Sequence, residues 1–263
     1  KMGVIALLTD FGLSDNFVGV MKGVIYGINP EVRIIDLCHQ IESYNVREAA
    51  FLLKSSYPYF PEGTVFLIVV DPGVGSERKS IIMETENYFF VAPDNGVLSF
   101  LLERDIKRII QISNEKYFLK PVSRTFHGRD IFAPVAAHLS KGEKVENFGS
   151  PIKDIEKIEL PEPRVEKNGL SGEVIYVDRF GNLITNINKD TFLRFVGGKK
   201  FQIVMGKATI SRISSSYKEG KKGLPLAIFG SFDNLEISLY GDDASRGLNL
   251  KKGSKIYIKK SST

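Results

Sequence analysis

Residues 64–73, TVFLIVVDPG, decide the fold class. Six apolar residues, Val65 to Val70, are followed directly by Asp71-Pro72-Gly73. The apolar run is rich in β-branched and aromatic residues, which favour strands, whereas Asp, Pro and Gly favour turns. The segment therefore predicts a strand over Thr64–Val70 that ends on an acidic side chain.

The same arrangement recurs on the N-terminal side of this strand. Val4–Thr9 is a β-rich apolar run that ends at Asp10-Phe11-Gly12, and Arg33–Leu37 is a short strand that ends at Cys38-His39. Helical patterns lie between the strands, and this alternation predicts a largely parallel sheet with helices on its faces. The other elements predicted in this half are strands at Ser80–Met83 and Tyr88–Val91, and helices at Phe17–Ile28, at Val46–Leu53 with Asn45 as N-cap, from Val97 onward, and at Ile131–Leu139 with Asp130 as N-cap.

The pattern changes between Glu159 and Gly169, where Leu160-Pro161-Glu162-Pro163 forms a stiff, non-helical connector. Beyond it, Gly, Asn and Asp separate short β segments at the interval expected of a small barrel or sandwich. We therefore predict an α/β N-terminal domain over residues 1–160, a linker at about 161–168 and a smaller, all-β, barrel-like C-terminal domain over 169–263. The strands predicted in this second half are Gly172–Val177, Leu183–Ile187, Lys200–Val204, Leu224–Phe229, Leu235–Leu239 and Lys255–Ile258.

Composition excludes several classes of protein. The 263 residues are 43% hydrophobic and 25% charged, with a mean hydropathy of −0.07, which is ordinary for globular proteins and excludes disordered and fibrous ones. The longest apolar run, Val65 to Val70, is far too short to span a bilayer. A single cysteine, Cys38, excludes an internal disulfide framework and a multi-cysteine metal cluster. The sequence lacks a basic start followed by a long apolar segment, and we expect a cytoplasmic protein without membrane association.

The net charge of +5 is unevenly distributed. From Arg164 onward, 18 Lys and Arg face 9 Asp and Glu, a net charge of +9, and the preceding part carries −4. The excess lies in scattered lysine pairs, mostly beside glycine, which are typical of solvated strand edges. We expect no nucleic-acid partner, although a basic nucleic-acid-binding module remains an alternative.

Ionisable side chains follow three of the predicted strands. In open α/β sheets, ligands bind beyond the carboxyl ends of the strands, so Asp10, His39 and Asp71 are expected along one edge. The segment Phe126-His127-Gly128-Arg129-Asp130, just before a helix, reaches the same edge in this interpretation. Each segment is also typical of an ordinary turn. On the residues alone, the edge predicts an acidic site, and a metal-dependent phosphohydrolase with Asp10, His39, Asp71 and His127 as ligands is one alternative.

Five motifs, in order and at matching separations, carry a resemblance to a known family. The sequence resembles the S-adenosyl-L-methionine hydroxide adenosyltransferases, the hydrolytic relatives of fluorinase and chlorinase, along nearly its whole length. The motifs are Thr9-Asp10-Phe11-Gly12, Asp71-Pro72-Gly73-Val74-Gly75-Ser76 with Arg78, Ala92-Pro93-Asp94-Asn95-Gly96, Thr125-Phe126-His127-Gly128-Arg129-Asp130, and Asp178-Arg179-Phe180-Gly181-Asn182.

The resemblance implies a hydrolase in which water or hydroxide attacks C5′ of S-adenosyl-L-methionine, giving adenosine and L-methionine. It also implies a homotrimer whose substrate lies between one subunit's N-terminal domain and a neighbour's C-terminal domain. Asp71, Arg78 and His127 match the catalytic set, Asp10 matches the carboxylate that holds the ribose diol, and Tyr44 matches the aromatic residue beside the sugar. The other positions implied in substrate binding are Asn95, Phe126, Asp178, Asn182 and Ser231, with Asp15 and Glu236 as looser matches.

Departures from fluorinase favour water over halide as the nucleophile. Fluorinase-like proteins have tyrosines at the positions of Asp71 and His127, fluorinase has serine at Gly128, and its insertion after the strand near Ile82 is absent here. The positive sulfonium leaves as a neutral thioether that needs neither an acid nor a metal, so we expect no cofactor. A halogenase that forms 5′-halo-5′-deoxyadenosine remains the nearest alternative.

Overall fold

The computed structural model describes residues 3–104, 106–167 and 169–260. The chain forms two compact units, one that ends at Glu159 and one that begins at Leu160. Within the described residues, no helix is both long and apolar enough to cross a membrane. The cytoplasmic location and the domain bounds given above stay predictions.

The first unit is built on a seven-stranded sheet with the order β2-β1-β3-β5-β4-β6-β7. The strands β2, β1, β3 and β5 run parallel, and β4, β6 and β7 each pair antiparallel with a neighbour. This mixed sheet confirms the predicted α/β class. The elements are β1 (Val4–Thr9), α1 (Phe17–Ile28), β2 (Arg33–Cys38), α2 (Val46–Ser56), β3 (Val65–Val69), β4 (Ser80–Thr85), β5 (Phe89–Pro93), β6 (Ile106–Ile112), α3 (Ala133–Ser140) and β7 (Gly149–Pro151).

The interior strand β3 is buried on both faces of the sheet. Leu67 and Val69 belong to the core that includes α1 and α3, while Phe66 stacks on Phe90 across the sheet with ring centroids 5.1 Å apart. A continuous apolar run suits this position, because a parallel strand covered on both faces has no solvent-facing side.

The register of the parallel strands brings their carboxyl ends to one edge. Thr9 at the end of β1 pairs with Val69 at the end of β3, and Leu67 pairs with Val91 of β5. Asp10 and Asp71 therefore follow neighbouring strands at the same edge, as the strand ends predict. The turn at residues 94–96, after β5, also lies at this edge.

Two local predictions in this unit are wrong. The helix expected from Val97 is only a short 3₁₀ turn, Ser99–Leu101, followed by the unpredicted strand β6. Asp130 is not an N-cap, because it lies inside a π-helical turn, Gly128–Phe132, that leads directly into α3. By contrast, the Asn45 side chain caps α2 by accepting a 3.0 Å hydrogen bond from the Glu48 amide.

The second unit is a nearly closed antiparallel barrel with the strand order β12-β11-β15-β9-β10-β14-β13, and β8 pairs with β9. All six strands predicted here are present. The strands β8 and β12 and the helices α4 and α5 were not predicted, and β8 lies within the segment expected to be a linker. The elements are β8 (Arg164–Glu166), β9 (Gly169–Val177), β10 (Leu183–Asn188), α4 (Lys189–Val196), β11 (Phe201–Met205), β12 (Ala208–Ile210), β13 (Pro225–Phe229), β14 (Asn234–Leu239), α5 (Ala244–Leu248) and β15 (Lys255–Lys260).

Candidate active site

Arg78 contacts both Asp71 and His127. The cluster of these three residues is here called the charged trio, after the ion pair between Arg78 and Asp71. The Arg78 guanidinium grips Asp71 with two nitrogens: Nε lies 2.9 Å from Oδ1, and Nη2 donates to Oδ2. Nη2 also lies 2.9 Å from Nδ1 of His127. Only 10% of the Arg78 side chain and 6% of the Asp71 side chain are exposed, so this ion pair is largely shielded from water, whereas His127 is half-buried.

The loop between β3 and β4 brings the three side chains together. Asp71 follows β3, and the chain turns back through Gly75 so that Arg78 reaches Asp71 just before β4 begins. Gly75 has a φ of +77°, and a Cβ there would lie 2.4 Å from the Arg124 carbonyl oxygen. Glycine at this position therefore allows the loop to pack directly on the segment that leads to His127.

The π-helical turn fixes the position of His127 from the other side. Asp130, inside this turn, is buried and accepts hydrogen bonds from the Ser123 amide at 2.8 Å and from Nε of Arg129 at 2.6 Å. The Arg129 guanidinium lies 5.2 Å from the centroid of the Phe126 ring. These contacts hold the residues on both sides of His127 in place.

The contact with Arg78 determines which ring nitrogen of the neutral His127 carries the proton. A guanidinium has no acceptor, so Nδ1 of His127 accepts the hydrogen bond and the neutral ring carries its proton on Nε2. Burial and then the positive charge of Arg78 lower the pKa of His127, while Asp71 and Asp130 act in the opposite direction. The ring is therefore neutral at neutral pH.

The Asp10 turn, residues 10–12, occupies the neighbouring strand end and is more open. Asp10 Oδ2 accepts a 2.8 Å hydrogen bond from the Tyr44 amide. Tyr44 has a φ of +68°, and 71% of it is exposed. A cavity of about 440 Å³ lies beside Tyr44, lined by residues 42–47 and Ile158. Asp15, one of the two looser matches, is exposed on the segment that leads from this turn into α1.

Three aromatic rings, one of them from the Asp10 turn itself, form an apolar cluster. Phe11, Phe17 and Phe126 pack with centroids 5.2 to 5.8 Å apart. Phe126 immediately precedes His127, so the cluster connects the Asp10 turn to the charged trio. A larger cavity, about 970 Å³, lies at the opposite edge, where the parallel strands begin, and none of the predicted site residues lines it.

Asn95 lies at the same edge, with its amide engaged by backbone groups. Its Nδ2 donates to the Val70 carbonyl at 2.8 Å, and its Oδ1 accepts from the Val97 amide at 3.2 Å. The side chain thus fastens the end of β5 to the end of β3, next to Asp71. A contact between Asn95 and substrate stays a prediction.

His39 follows β2 at the same edge as Asp10 and Asp71, but its side chain does not line that edge, so the expectation for its side chain is wrong. Its ring turns inward, only 4% exposed, and contacts Thr9 and Asp36. Among the described residues, no three His, Cys, Asp or Glu side chains form a group that could hold a metal ion. The ligand set of the phosphohydrolase alternative does not assemble in this part of the chain.

In the second unit, Asp178 organises the turn between β9 and β10. Its Oδ1 accepts from the amides of Phe180 at 2.8 Å and Asn182 at 2.9 Å, and its Oδ2 accepts from the Asn182 side chain at 2.8 Å. Gly181 in this turn has a φ of +82°, and a Cβ there would lie 2.2 Å from Asp243. Asp178 and Asn182 therefore form one preorganised, hydrogen-bonded pair.

Glu236 forms a second polar group in the barrel. It is buried, and its Oε1 accepts from the Tyr217 hydroxyl at 2.7 Å and from the Ser238 hydroxyl at 2.8 Å. Burial and this hydrogen bond raise the pKa of Tyr217, and the charge of Asp178 adds to the effect. Ser231 is exposed in the turn between β13 and β14. Sequence reasoning missed Tyr217, because its partner lies 19 residues further along the chain.

Comparisons with known proteins show which family both units resemble. Residues 5–149 match the model of the SAM hydroxide adenosyltransferase N-terminal domain, and residues 172–257 match that of the C-terminal domain. A protein named (R)-S-adenosyl-L-methionine hydrolase from Methanocaldococcus jannaschii is 39% identical over 98% of this chain and 96% of its own length. A protein of the same name from Thermus thermophilus is 35% identical over 98% of this chain and 100% of its own length.

A solved structure and a more distant enzyme complete the comparison. The crystal structure of an uncharacterized conserved protein from Thermotoga maritima has a TM-score of 0.91 and 42% sequence identity, and covers 97% of this chain and 100% of its own. A fluorinase from Actinopolyspora mzabensis is 27% identical over 98% of this chain and 97% of its own length.

Proposed function

The chain belongs to the S-adenosyl-L-methionine hydroxide adenosyltransferase family, and on that premise we propose that it hydrolyses S-adenosyl-L-methionine to adenosine and L-methionine. The observation that carries the proposal is the charged trio, in which Arg78 holds a carboxylate and a neutral imidazole at the carboxyl edge of the sheet. Fluorinase-like proteins have tyrosines at the positions of Asp71 and His127. A site of that kind has no carboxylate and no imidazole for activating water.

The reaction needs no acid for its leaving group. A water oxygen forms a bond to C5′, the C5′–S bond breaks, and its electron pair passes to sulfur, which leaves as the neutral thioether of methionine. When hydroxide attacks the positive sulfonium, opposite charges cancel, so a pocket with little water favours the transition state. The rings of Phe11, Phe17 and Phe126 provide such a surface beside the trio.

Asp71 accepts the proton from the attacking water in this proposal. The Nδ1 of His127 already accepts from Arg78, so the ring cannot take a proton there without losing that bond. A carboxylate offers about four acceptor positions. Arg78 occupies three of them, since Nε donates to both Oδ1 and Oδ2 and Nη2 donates to Oδ2, which leaves room for one more. The Nε2–H of His127 then orients the water, and general-base catalysis of this kind contributes roughly 10²- to 10⁴-fold.

Asp10 holds the ribose in the same proposal. Its carboxylate oxygens suit the two hydroxyl groups of the diol, while Tyr44 and the cavity beside it receive the nucleoside. Asp178, Asn182 and Ser231 act on the methionine part, where the negative charge of Asp178 suits the substrate ammonium. No metal takes part, and activity should survive exhaustive treatment with a chelator.

We further propose a homotrimer in which the second unit of one chain acts on substrate held by a neighbour. Native mass spectrometry tests the trimer. A mixture of Asp71→Asn and Asp178→Ala chains, refolded together, tests the sharing of sites, because some mixed sites would contain both intact residues. Activity above the sum of the two separate variants is expected, and activity no higher than that sum would contradict shared sites.

The decisive experiment uses the separated sulfonium epimers in ¹⁸O-water. The names of the hydrolase relatives specify the R epimer, and we propose that this chain also accepts it. Mass spectrometry should find the heavy oxygen in adenosine, because the solvent oxygen becomes O5′. Unlabelled adenosine would overturn attack by water, and 5′-halo-5′-deoxyadenosine formed in chloride or fluoride would support the halogenase alternative instead.

A further inference from the structure

A line of polar side chains runs from α1 to the Asp10 turn. Lys22 Nζ lies 2.7 Å from Asp36 Oδ2, and Asp36 Oδ1 lies 3.0 Å from Nε2 of His39. The other ring nitrogen of His39, Nδ1, lies 2.8 Å from the Thr9 hydroxyl. That hydroxyl oxygen accepts from the Phe11 amide at 3.3 Å. The line therefore begins at an exposed ion pair and ends on the backbone beside Asp10.

One assignment of protons satisfies every member of this line. The Nε2–H of His39 donates to the Asp36 carboxylate, and the Thr9 hydroxyl donates to Nδ1. The hydroxyl oxygen is then available to accept from the Phe11 amide. Although burial alone raises the pKa of Asp36, hydrogen bonds from His39 and Lys22 lower it overall, which keeps the acceptor ionised and fixes the orientation of the ring.

The backbone of His39 holds the other end of the same turn. The Gly12 amide donates to the His39 carbonyl oxygen at 2.6 Å. His39 therefore fixes Phe11 through Thr9 and fixes Gly12 directly, so both residues that follow Asp10 are tied to it. The Asp10 carboxylate itself contacts the Tyr44 amide at 2.8 Å. A turn held on both sides presents its carboxylate in one orientation.

We propose that His39 is a positioning residue for substrate binding, acting through Thr9 to orient Asp10 toward the ribose diol. This inference rests on the proposed function, since it needs Asp10 to bind the sugar. His39 touches no reacting atom in this scheme, because its ring lies in the interior of the unit. Buried polar groups are hydrogen-bonded in either case, so the two roles differ in whether loss of the Thr9 contact changes substrate binding through Asp10.

Two pairs of variants test the link between His39 and Thr9. Thr9→Val removes the hydroxyl at nearly constant shape, whereas Thr9→Ser keeps it. His39→Gln extends toward Asp36 and loses the contact with Thr9, whereas His39→Asn keeps a polar atom near the position of Nδ1. By analogy with the loss of one buried hydrogen bond, Thr9→Val and His39→Gln should weaken adenosine binding about five- to tenfold. Thr9→Ser and His39→Asn should stay within about twofold of the parent on the same scale.

Two readouts separate positioning from a purely structural role. With S-adenosyl-L-methionine, KM should rise in Thr9→Val while kcat at saturation changes by less than about twofold, since the lost interaction is equally present in the ground and transition states. In an Asp10→Ala background, Thr9→Val should cause no further loss of adenosine affinity, because coupled residues are not additive. Calorimetry supplies the dissociation constants, and thermal unfolding identifies any variant that does not fold.

Each alternative result has a distinct meaning. An equal loss of affinity from Thr9→Val with and without Asp10, or a fall in kcat at constant KM, would overturn the positioning role alone. If Asp10→Ala leaves adenosine binding unchanged, the ribose assignment in the proposed function is overturned, and the role of His39 with it. If Asp10→Ala weakens binding and neither Thr9→Val nor His39→Gln does, only the inference about His39 fails.

Discussion

The charged trio and the Asp10 turn lie at the same sheet edge and are built in different ways. The trio consists of side chains bonded to side chains, with Asp71 and Arg78 at most 10% exposed. At the Asp10 turn, one carboxylate contacts a backbone amide, and its neighbour Tyr44 is 71% exposed. Preorganised charges in a shielded site stabilise a transition state most effectively, whereas an open carboxylate suits reversible binding. The difference predicts that the trio determines kcat and that the Asp10 turn determines affinity.

Replacement of Arg78 should have the largest combined effect, because it should reduce both the catalytic rate and the folding stability. Arg78→Ala leaves the buried Asp71 without its cation, and we expect kcat to fall by about 10³-fold and unfolding stability by about 3 to 5 kcal/mol. Arg78→Lys keeps the charge and restores most of the stability, yet it cannot form the two-nitrogen grip on Asp71. Single-turnover rates and chemical denaturation measure the two effects. A kcat for Arg78→Lys near that of the parent would show that charge alone suffices.

Asp71→Asn should come next, because it removes the proposed proton acceptor with little change in shape. We expect a loss of roughly 10²- to 10⁴-fold in the single-turnover rate, with the dissociation constant for the substrate changed less than about threefold, since Asp71 acts in the transition state. Ser80→Ala is the matched control, since Ser80 also accepts from Arg78, at 2.8 Å, and has no part in the chemistry. Equal losses in the two variants would remove Asp71 from the reaction.

The pH dependence of kcat tests the neutral state of His127. Burial and the charge of Arg78 lower its pKa, so kcat should remain constant on acidification until pH falls below 6.5, the usual histidine value. Protonation at Nδ1 then opposes the contact with Arg78, and kcat declines. An acidic limb centred above 6.5 in the parent, or the same limb retained in His127→Gln, would contradict this role.

The same shift has a consequence for folding stability. Because the unfolded chain binds the His127 proton more readily than the folded chain does, the free energy of unfolding should decrease as pH falls from 6.5 toward the lowered pKa. The pKa of His138 is also lowered by burial, so its protonation decreases the free energy of unfolding over the same pH range. His127→Gln should therefore reduce the slope of stability against pH in this range without abolishing it.

Asp10→Ala should mainly affect binding. Loss of hydrogen bonds to a charged group costs about 1.5 to 3 kcal/mol, so we expect the adenosine dissociation constant to rise roughly 10- to 150-fold. The rate at saturating substrate should change much less. Asp190→Ala, an exposed carboxylate on α4 in the other unit, is the control for a change of net charge. A large fall in kcat with unchanged affinity would erase the functional difference between the two regions.

The positions of the strand ends could be predicted from the sequence, because a parallel sheet places them at one edge whatever the details. The side-chain orientations could not. His39 and Asp71 both follow a parallel strand, yet His39 turns inward onto Thr9 while Asp71 meets Arg78. Contacts between residues far apart in sequence decide such outcomes, and strand patterns contain no information about them.

The N-cap predicted at Asp130 is wrong because tertiary contacts override the local propensity of the sequence. Asp130 precedes an apolar helical pattern and has the character of an N-cap, but its carboxylate is used by Ser123 and Arg129 across the π-helical turn. In contrast, α4 had a detectable signal: Asn188 accepts from the Thr191 amide, and Gly197 ends the helix with a φ of +59°. Asparagine before a helix and glycine after it are common helix boundaries.

Gly128→Ser should have the smallest effect and tests whether the trio alone selects water. A Cβ at Gly128 would lie 3.2 Å from Phe126 and 3.3 Å from Met21 and Val69, so neighbouring side chains must move by a few tenths of an ångström. Its helix-compatible backbone favours serine over glycine by a few tenths of a kcal/mol, which offsets part of that cost. We expect kcat to fall about two- to threefold, in proportion to a small displacement of His127.

Product analysis of Gly128→Ser in fluoride and chloride should show adenosine alone, because Asp71 and His127 still contact Arg78. Formation of a 5′-halo nucleoside would show that one hydroxyl outweighs the trio in the choice of nucleophile.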